Sequence, residues 1–409
     1  MKKKQEKKKQ YWISVSQRGK RIGVLLAVCM ITCSGCGKVD IDEKKEENVQ
    51  SVQQEKIAEE FESLMEGARG LYEKAVKNNQ LHSLEFQKQV IEYLGEKGYA
   101  AVDVDNQINM VHAEQVEAYC EKAKQGKQAE VSIFLVTEEG SVVRYGLNTN
   151  GEEMEAIVST VRWTDHKPCM NYYHEFRVHS WKYTEKGYFF IEEYHPPGFD
   201  GAPGQTGFRV KPLAQELRVL NQKYVLPIGY QWNNMLITDW NEQDYSKLNF
   251  YDLFELLYPS IYKQDVPYIA EEGAEYQIPK EEFEKIFYTY FHIEPEQIRE
   301  NTDFDVNTKS YRYRPRGLYD GEFPYGPYPE VVSYEELEDG KLKLNIEAVW
   351  EREMLDQVFK SELIVETVED GKIHYVSNHV LSPQEDEPRW YKPRLTNEEW
   401  IQLYQELGY

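Results

Sequence analysis

The sequence predicts an α+β protein of two domains, each with helices packed on an antiparallel sheet. Three observations lead there. Apolar residues recur at spacings of three and four between Ile57 and Ala123, the period of a helix face. From Val131 onward the period falls to two, with Gly-containing turn signals between the apolar runs. Near residue 245 the same order, helices and then strands, begins again. A chain of 409 residues also suits two domains better than one.

The first helix is marked by Ile57, Phe61, Leu64, Met65, Ala68, Leu71, Tyr72 and Ala75. A second carries Phe86, Val90 and Leu94 and stops near Gly95 and Gly98. A third carries Val116, Tyr119, Cys120 and Ala123 before Gly126. Successive strands then read as Val131–Thr137, Val142–Leu147, Met154–Trp163, Tyr172–Tyr183 and Tyr188–Tyr194, with turns at Glu139-Gly140 and Asn150-Gly151. A Gly/Pro-rich stretch, His195 to Gly207, interrupts the pattern as a connector or a binding loop. A short helix near Leu213 to Asn221 follows it.

In the second half, Asn249 is placed to cap a helix from Phe250 to Leu257 that Pro259 ends. Pro279 opens another, with Phe283, Ile286, Phe287 and Tyr290 on one side. Leu342, Leu344, Ile346, Ala348 and Trp350 alternate with polar neighbours as a strand should. Asp339-Gly340 and Asp370-Gly371 supply hairpin turns around it and around Phe359–Thr367. A capping box, Thr396 to Glu399, starts a final helix through Trp400, Leu403 and Leu407. The expected domains are residues 55–240 and 245–409.

Before them lies an address. Residues 1–21 hold nine Lys and Arg against one acidic residue, Glu6, and an apolar run of eleven residues, Ile22 to Thr32, follows. A basic start, a short apolar core and small residues after it describe a secretory signal over residues 1–35. Eleven residues rise only about 16 Å as a helix, roughly half the hydrocarbon thickness, which is too short to span. The end of this stretch, Cys33-Ser34-Gly35-Cys36, resembles the lipobox of bacterial lipoprotein precursors, with Cys33 where Leu, Ile or Val is usual. The resemblance implies a diacylglyceryl group on the Cys36 thiol, cleavage before it, and a protein on the outer face of the cytoplasmic membrane. Residues 36–54 are polar and charged, and their composition reads as a flexible tether.

Charge narrows the partners. Taking nine basic and one acidic residue from the totals of 48 and 71 leaves 39 and 70, a formal net charge of −31 beyond residue 35. Such a surface repels phosphate backbones, so no nucleic-acid partner is expected. Only Cys120 and Cys169 remain beside the anchor. An oxidising exterior permits them to pair, and a disulfide and two buried thiols both stay open.

Several strings carry a further resemblance: NQKYVLPIGYQWNN (221–234), FYDLFELLYP (250–259), YQIPKEEFE (276–284), YRYRPRG (311–317), PYPEVVSY (327–334) and PRLTNEEW (393–400). They are similar to an uncharacterised family of Gram-positive lipoproteins, defined as a domain of unknown function. The likeness runs over roughly residues 84 to 404. It implies an envelope address and brings no catalytic or ligand residues with it.

The residues themselves assemble no chemistry by motif. His174-Glu175 and His179 imitate a zinc helix, but the spacing is five and the pattern is a strand, so no metal site is expected there. Asp303 to Asn307 opens like a calcium loop, yet Thr308 stands at the sixth position where Gly is needed and Arg314 at the twelfth where Glu is needed. Asp103-Val104-Asp105-Asn106 fits no better. Cys169 lies three residues from His166, with no further partner in sequence, and no Gly-x-Ser-x-Gly elbow or phosphate-binding Gly loop is present. No cofactor is expected.

The richest candidate for binding is the segment Tyr311, Arg312, Tyr313, Arg314, Arg316, Tyr319 and Tyr325, stiffened by Pro315, Pro324, Pro327 and Pro329. If extended, it puts the three arginines on one face and Tyr311 and Tyr313 on the other. Tyrosines offer apolar area and a hydroxyl to a glycan, peptide or protein partner. The structural alternative pairs the arginines with carboxylates while the tyrosines fill the sheet edge. The expected function is a membrane-anchored, non-catalytic binding protein; the alternative is an envelope hydrolase using carboxylates.

Overall fold

The computed structural model describes residues 41–409 apart from 200, 272, 318, 322–324, 369–371, 383–387 and 408–409, with side chains from Val52 onward. Cys36, the signal, Pro324 and the Asp370-Gly371 turn lie outside the described residues. Among the described residues the fold is α+β, with nine α-helices and three sheets. No described helix is long and apolar enough to cross a membrane. Backbone proximity groups the chain into two compact units, one ending at Pro212 and the other beginning at Leu213.

The first unit opens with α1 (Ile41–Glu66), α2 (Arg69–Lys77) and α3 (Leu84–Glu96). Helix α1 starts inside the stretch expected to be a flexible tether. The physical reason is composition: Glu, Lys and Gln, which dominate residues 43–56, are good helix formers once a packed turn downstream supplies the nucleus. The single helix expected through Ala75 breaks at Gly67-Ala68. There the Tyr93 hydroxyl donates to the Leu64 carbonyl at 2.6 Å and occupies the space where a Cβ on Gly67 would sit. An inserted side chain of this kind is a recognised cause of a helix break.

The seven strands β1 (Ala100–Asp103), β2 (Ala129–Val136), β3 (Val142–Thr149), β4 (Met154–Thr164), β5 (Lys167–Tyr183), β6 (Tyr188–Glu193) and β7 (Gln205–Arg209) lie side by side in chain order. The sheet is not purely antiparallel. Strands β1 and β2 run parallel, joined through α4 (Ala113–Lys124), while the remaining pairs are antiparallel. A parallel pair needs a crossover, and α4 provides it. Both faces of β2 are covered: Ile133 and Leu135 join Val116, Tyr119 and Cys120 of α4 in one cluster, while Phe134 and Val136 join Phe61, Val90 and Leu94 of α1 and α3 in another. That is why β2 reads as an unbroken apolar run. Asn106, just past β1, bonds Gly207 O at 3.1 Å and accepts from Arg209 N at 2.7 Å, so the first and last strands meet and the sheet nearly closes. Strand β7 starts inside the stretch expected to be a loop and runs two residues past its end.

The second unit begins with α5 (Gln215–Leu220) and a π turn, Asn221–Val225. Tyr224, Val225, Ile228, Tyr230, Met235 and Leu236 share one core with the helices and strands that follow. Backbone proximity accordingly groups the chain from Leu213 onward with this unit. Helix α6 (Phe250–Tyr262) is capped by Asn249, which accepts from Asp252 N at 3.0 Å. It runs past Pro259, because Ile261 and Tyr262 still pack on the core and that burial outweighs the lost backbone bond. Lys263 then ends it in the left-handed region.

A three-stranded sheet, ordered β10 (Phe304–Asp305), β11 (Ser310–Tyr313), β9 (Tyr276–Pro279), and helices α7 (Lys280–Tyr290) and α8 (Pro295–Glu300) come next. The larger sheet is antiparallel and ordered β12 (Tyr328–Glu336), β13 (Leu342–Trp350), β14 (Leu355–Thr367), β15 (Ile373–Val380), β8 (Trp240–Asn241). Helix α9 (Asn397–Leu407) closes the unit with the expected capping box: Glu399 N donates to Thr396 Oγ1 at 3.2 Å, and Thr396 N to Glu399 Oε2 at 2.7 Å.

Candidate functional site

Strand β11 places the Tyr/Arg segment, and it turns most of that segment inward. Tyr311 and Tyr313 are on the core face, about 0% and 1% exposed. Their hydroxyls donate to Glu284 Oε1 at 2.7 Å and Glu255 Oε1 at 2.5 Å. Arg312, on the opposite face, pairs with Glu275 at 2.9 Å, and Arg314 reaches the same carboxylate at 2.6 Å. The Arg312 hydrogen bond lowers the Glu275 pKa despite partial burial.

Arg316 departs from the expected stripe. The strand ends at Tyr313 and Pro315 follows, so alternation stops and Arg316 folds into the core, where its side chain is fully enclosed. Its Nε and Nη2 make a two-pronged pair with Asp252 at 2.7 and 2.6 Å. Arg394 joins from the C-terminal side, donating to Asp252 Oδ1 at 2.9 Å and Glu255 Oε1 at 2.7 Å. Burial opposes the charge on Arg394, but Asp252 outweighs it and the pKa is raised. Two arginines, two carboxylates and Tyr313 thus satisfy one another in the core, where an isolated charge would be very costly. The arginines pair with carboxylates as the structural alternative expects, while Tyr311 and Tyr313 lie on the middle strand of their sheet and not at its edge. Tyr319 and Tyr325 stay exposed, at 37% and 38%, with Tyr319 edge-on to Trp400.

Other candidates resolve as architecture. Cys120 and Cys169 are both free thiols, the first buried in α4 and the second exposed on β5, so neither the disulfide nor the pair of buried thiols is realised. His174 bonds Glu193 at 2.7 Å, while His179 sits where the β5–β6 register shifts, beside the Tyr194 ring. Asp305 Oδ1 accepts from Asn307 N at 2.8 Å and makes a polar turn. Asp103 is buried and accepts from Gln107 N at 2.9 Å and Ile108 N at 2.7 Å. In the Gly/Pro-rich loop the His195 and Phe199 ring centroids lie 4.0 Å apart at a tilt of 38°, and Tyr194 and Phe199 are 60% and 51% exposed.

One cluster was not foreseen. Glu366 on β14 and His374 on β15 are directly opposite one another in register. His292 follows α7, between the buried Phe291 and Ile293. Tyr290 and Phe291 pack their rings against Tyr375, which brings the end of α7 to β15. His292 Nε2 then lies 2.6 Å from His374 Nδ1 and 3.2 Å from Glu366 Oε1, and His374 Nδ1 lies 3.5 Å from Glu366 Oε1. The other His292 nitrogen, Nδ1, is 2.7 Å from Glu242 Oε1. Burial, and then the neighbouring His292, lower the His374 pKa and favour its neutral ring. Lys341 feels Glu242 and Glu366 but is held by Asp339 at 2.9 Å. Glu366 and His374 could be paired in sequence across the expected turn. His292, more than seventy residues earlier, gave no such signal.

The described residues define an α+β protein with enclosed ion pairs in the unit that begins at Leu213 and a cluster of His292, Glu366 and His374 in the same unit. A family of unknown function, DUF6070, matches residues 54–394, and the chain belongs to it. No curated protein and no solved structure matches the chain.

Proposed function

We propose that this chain is an extracytoplasmic lipoprotein of the Gram-positive envelope that binds a partner and does not catalyse a reaction. The observation that carries the address is the order of the first 36 residues: a basic start, a short apolar run, then Ser34-Gly35-Cys36. A diacylglyceryl group on Cys36 holds the protein at the outer face of the membrane. Helix α1 supports this arrangement as a stalk, since its part before Ile57, its first buried described side chain, is about 24 Å long. The body it carries offers Tyr194 and Phe199 at the rim of the Gly/Pro-rich loop. Exposed rings of this kind suit a sugar face or a peptide.

Labelling with a fatty-acid analogue tests the address. The wild-type chain should incorporate the label and Cys36→Ala should not; undiminished labelling of the variant overturns the reading. Capture from envelope extracts tests the binding role. The Tyr194→Ala/Phe199→Ala variant should lose its partner at unchanged melting temperature, and equal capture by both proteins would remove the loop from the proposal.

A further inference from the structure

We propose that His292, His374 and Glu366 bind one divalent transition-metal ion, with Zn²⁺ the best fit, and that Glu242 orients the His292 ligand. The donor atoms, Nε2 of His292, Nδ1 of His374 and Oε1 of Glu366, all lie within 4.8 Å of one another. Two imidazoles and a carboxylate are a ligand set that suits zinc and its neighbours and not magnesium or calcium, which prefer oxygen throughout.

The distances can be compared with what an ion requires. Ligands about 2.0–2.1 Å from a tetrahedral zinc stand about 3.3 Å from one another. The two contacts to Glu366, 3.2 and 3.5 Å, already have this spacing. The contact between the rings, 2.6 Å, must open by about 0.7 Å for that tetrahedral spacing. His292 can supply the movement, because its side chain is 50% exposed while Glu366 and His374 are only 18% and 15% exposed. The site is thus two fixed ligands on paired strands and one adjustable ligand at a helix end.

Protons fit the same picture. The His292 Nδ1–H donates to Glu242, which leaves Nε2 with its lone pair toward the cluster. A carboxylate behind a ligating histidine is the usual way its tautomer is set. Without an ion, His374 must donate its Nδ1–H to that lone pair. On binding, the His374 proton moves to its own Nε2, and both facing nitrogens become ligands. Exposure of His292 leaves a fourth position for water or for a donor from a partner.

Titration of ZnCl₂ into the full chain, purified in mild detergent, stripped with EDTA and kept in excess Mg²⁺, tests the site. One Zn²⁺ per chain should bind saturably and raise the melting temperature. Loss of that stoichiometric step is expected in His292→Ala and His374→Ala, and Glu242→Gln should bind 10- to 100-fold more weakly. Co²⁺ should give the visible absorption of a four-coordinate site in the wild type and not in His292→Ala. The cysteines are the same in every variant, so the comparison reads the cluster alone. His292 is half exposed, and its alanine variant should keep the wild-type circular dichroism. A folded His292→Ala protein that binds Zn²⁺ like the wild type, or a wild type without a one-to-one step, overturns the proposal.

Discussion

Replacing Asp252 with Ala should destabilise the unit that begins at Leu213 far more than removing the exposed Arg312. Asp252 is fully enclosed and accepts from Arg316 at 2.7 and 2.6 Å and from Arg394 at 2.9 Å. The substitution leaves Arg316 buried without its carboxylate, although the carbonyls of Asp320 and Lys392, each at 2.8 Å, remain as acceptors. Breaking a buried pair in this way costs about 3–5 kcal/mol. Arg312, whose side chain is 37% exposed, makes a pair with Glu275 of the kind that contributes about 0.2–1 kcal/mol. Urea unfolding followed by tryptophan fluorescence should separate the two variants severalfold, and the Asp252→Ala melting temperature should drop by about 6–20 °C. An Asp252→Ala protein within about 1 kcal/mol of wild type, or an Arg312→Ala loss of equal size, would refute the assignment of the buried cluster as the keystone of this unit.

Two further outcomes follow from the same geometry. Burial raises the Glu284 pKa, but hydrogen bonds from Tyr311, Arg299 and Tyr288 outweigh it and the net direction is down. Its stabilisation is therefore complete above the ordinary carboxylate value, about 4.3, and is lost as pH falls through the depressed one. Melting temperature below about pH 4.5 should fall more steeply for wild type than for Glu284→Gln, and parallel slopes would contradict this. Burial also pushes the Cys120 thiol up to about 12, so at pH 8 iodoacetamide should label Cys169 and spare Cys120 until urea is added. A Cys120–Cys169 linked peptide from native protein would overturn the free-thiol assignment.

Much of the fold could be read from residue order because local rules suffice for it. The strands from Val131 to Glu193 and the cap at Asn249 depend on alternation and on one side chain near a helix start. What escaped depends on distant partners. Strand β1 has four residues, all buried, and carries no alternation because both its faces are covered. Strand β7 is held by Asn106, about a hundred residues away. The break at Gly67 needs Tyr93 from another helix. In the Tyr/Arg segment the strand face of Tyr311 and Tyr313 followed from period two, while the inward turn of Arg316 required a carboxylate sixty-four residues earlier.

The positions of the arginines also change what the charge balance means. A formal charge of −23 for the chain already disfavours polyanions. Arg209, Arg218 and Arg316 are each 5% exposed or less, and the Arg394 side chain is 7% exposed. Positive charge that composition assigns to the surface is therefore partly enclosed, next to carboxylates that it neutralises there. Enclosing Arg316 and Arg394 also encloses Asp252 and Glu255, so the exterior keeps its negative excess while losing cations that could have formed a basic recognition face. An accessible site on such a surface favours positively charged ligands. The cluster of His292, His374, Glu366 and Glu242 has that polarity, with two imidazoles adding softer donors to the carboxylates. Bulk charge attracts a cation and the nitrogen donors select a transition metal, a combination that neither the acidic composition nor any short motif would have indicated.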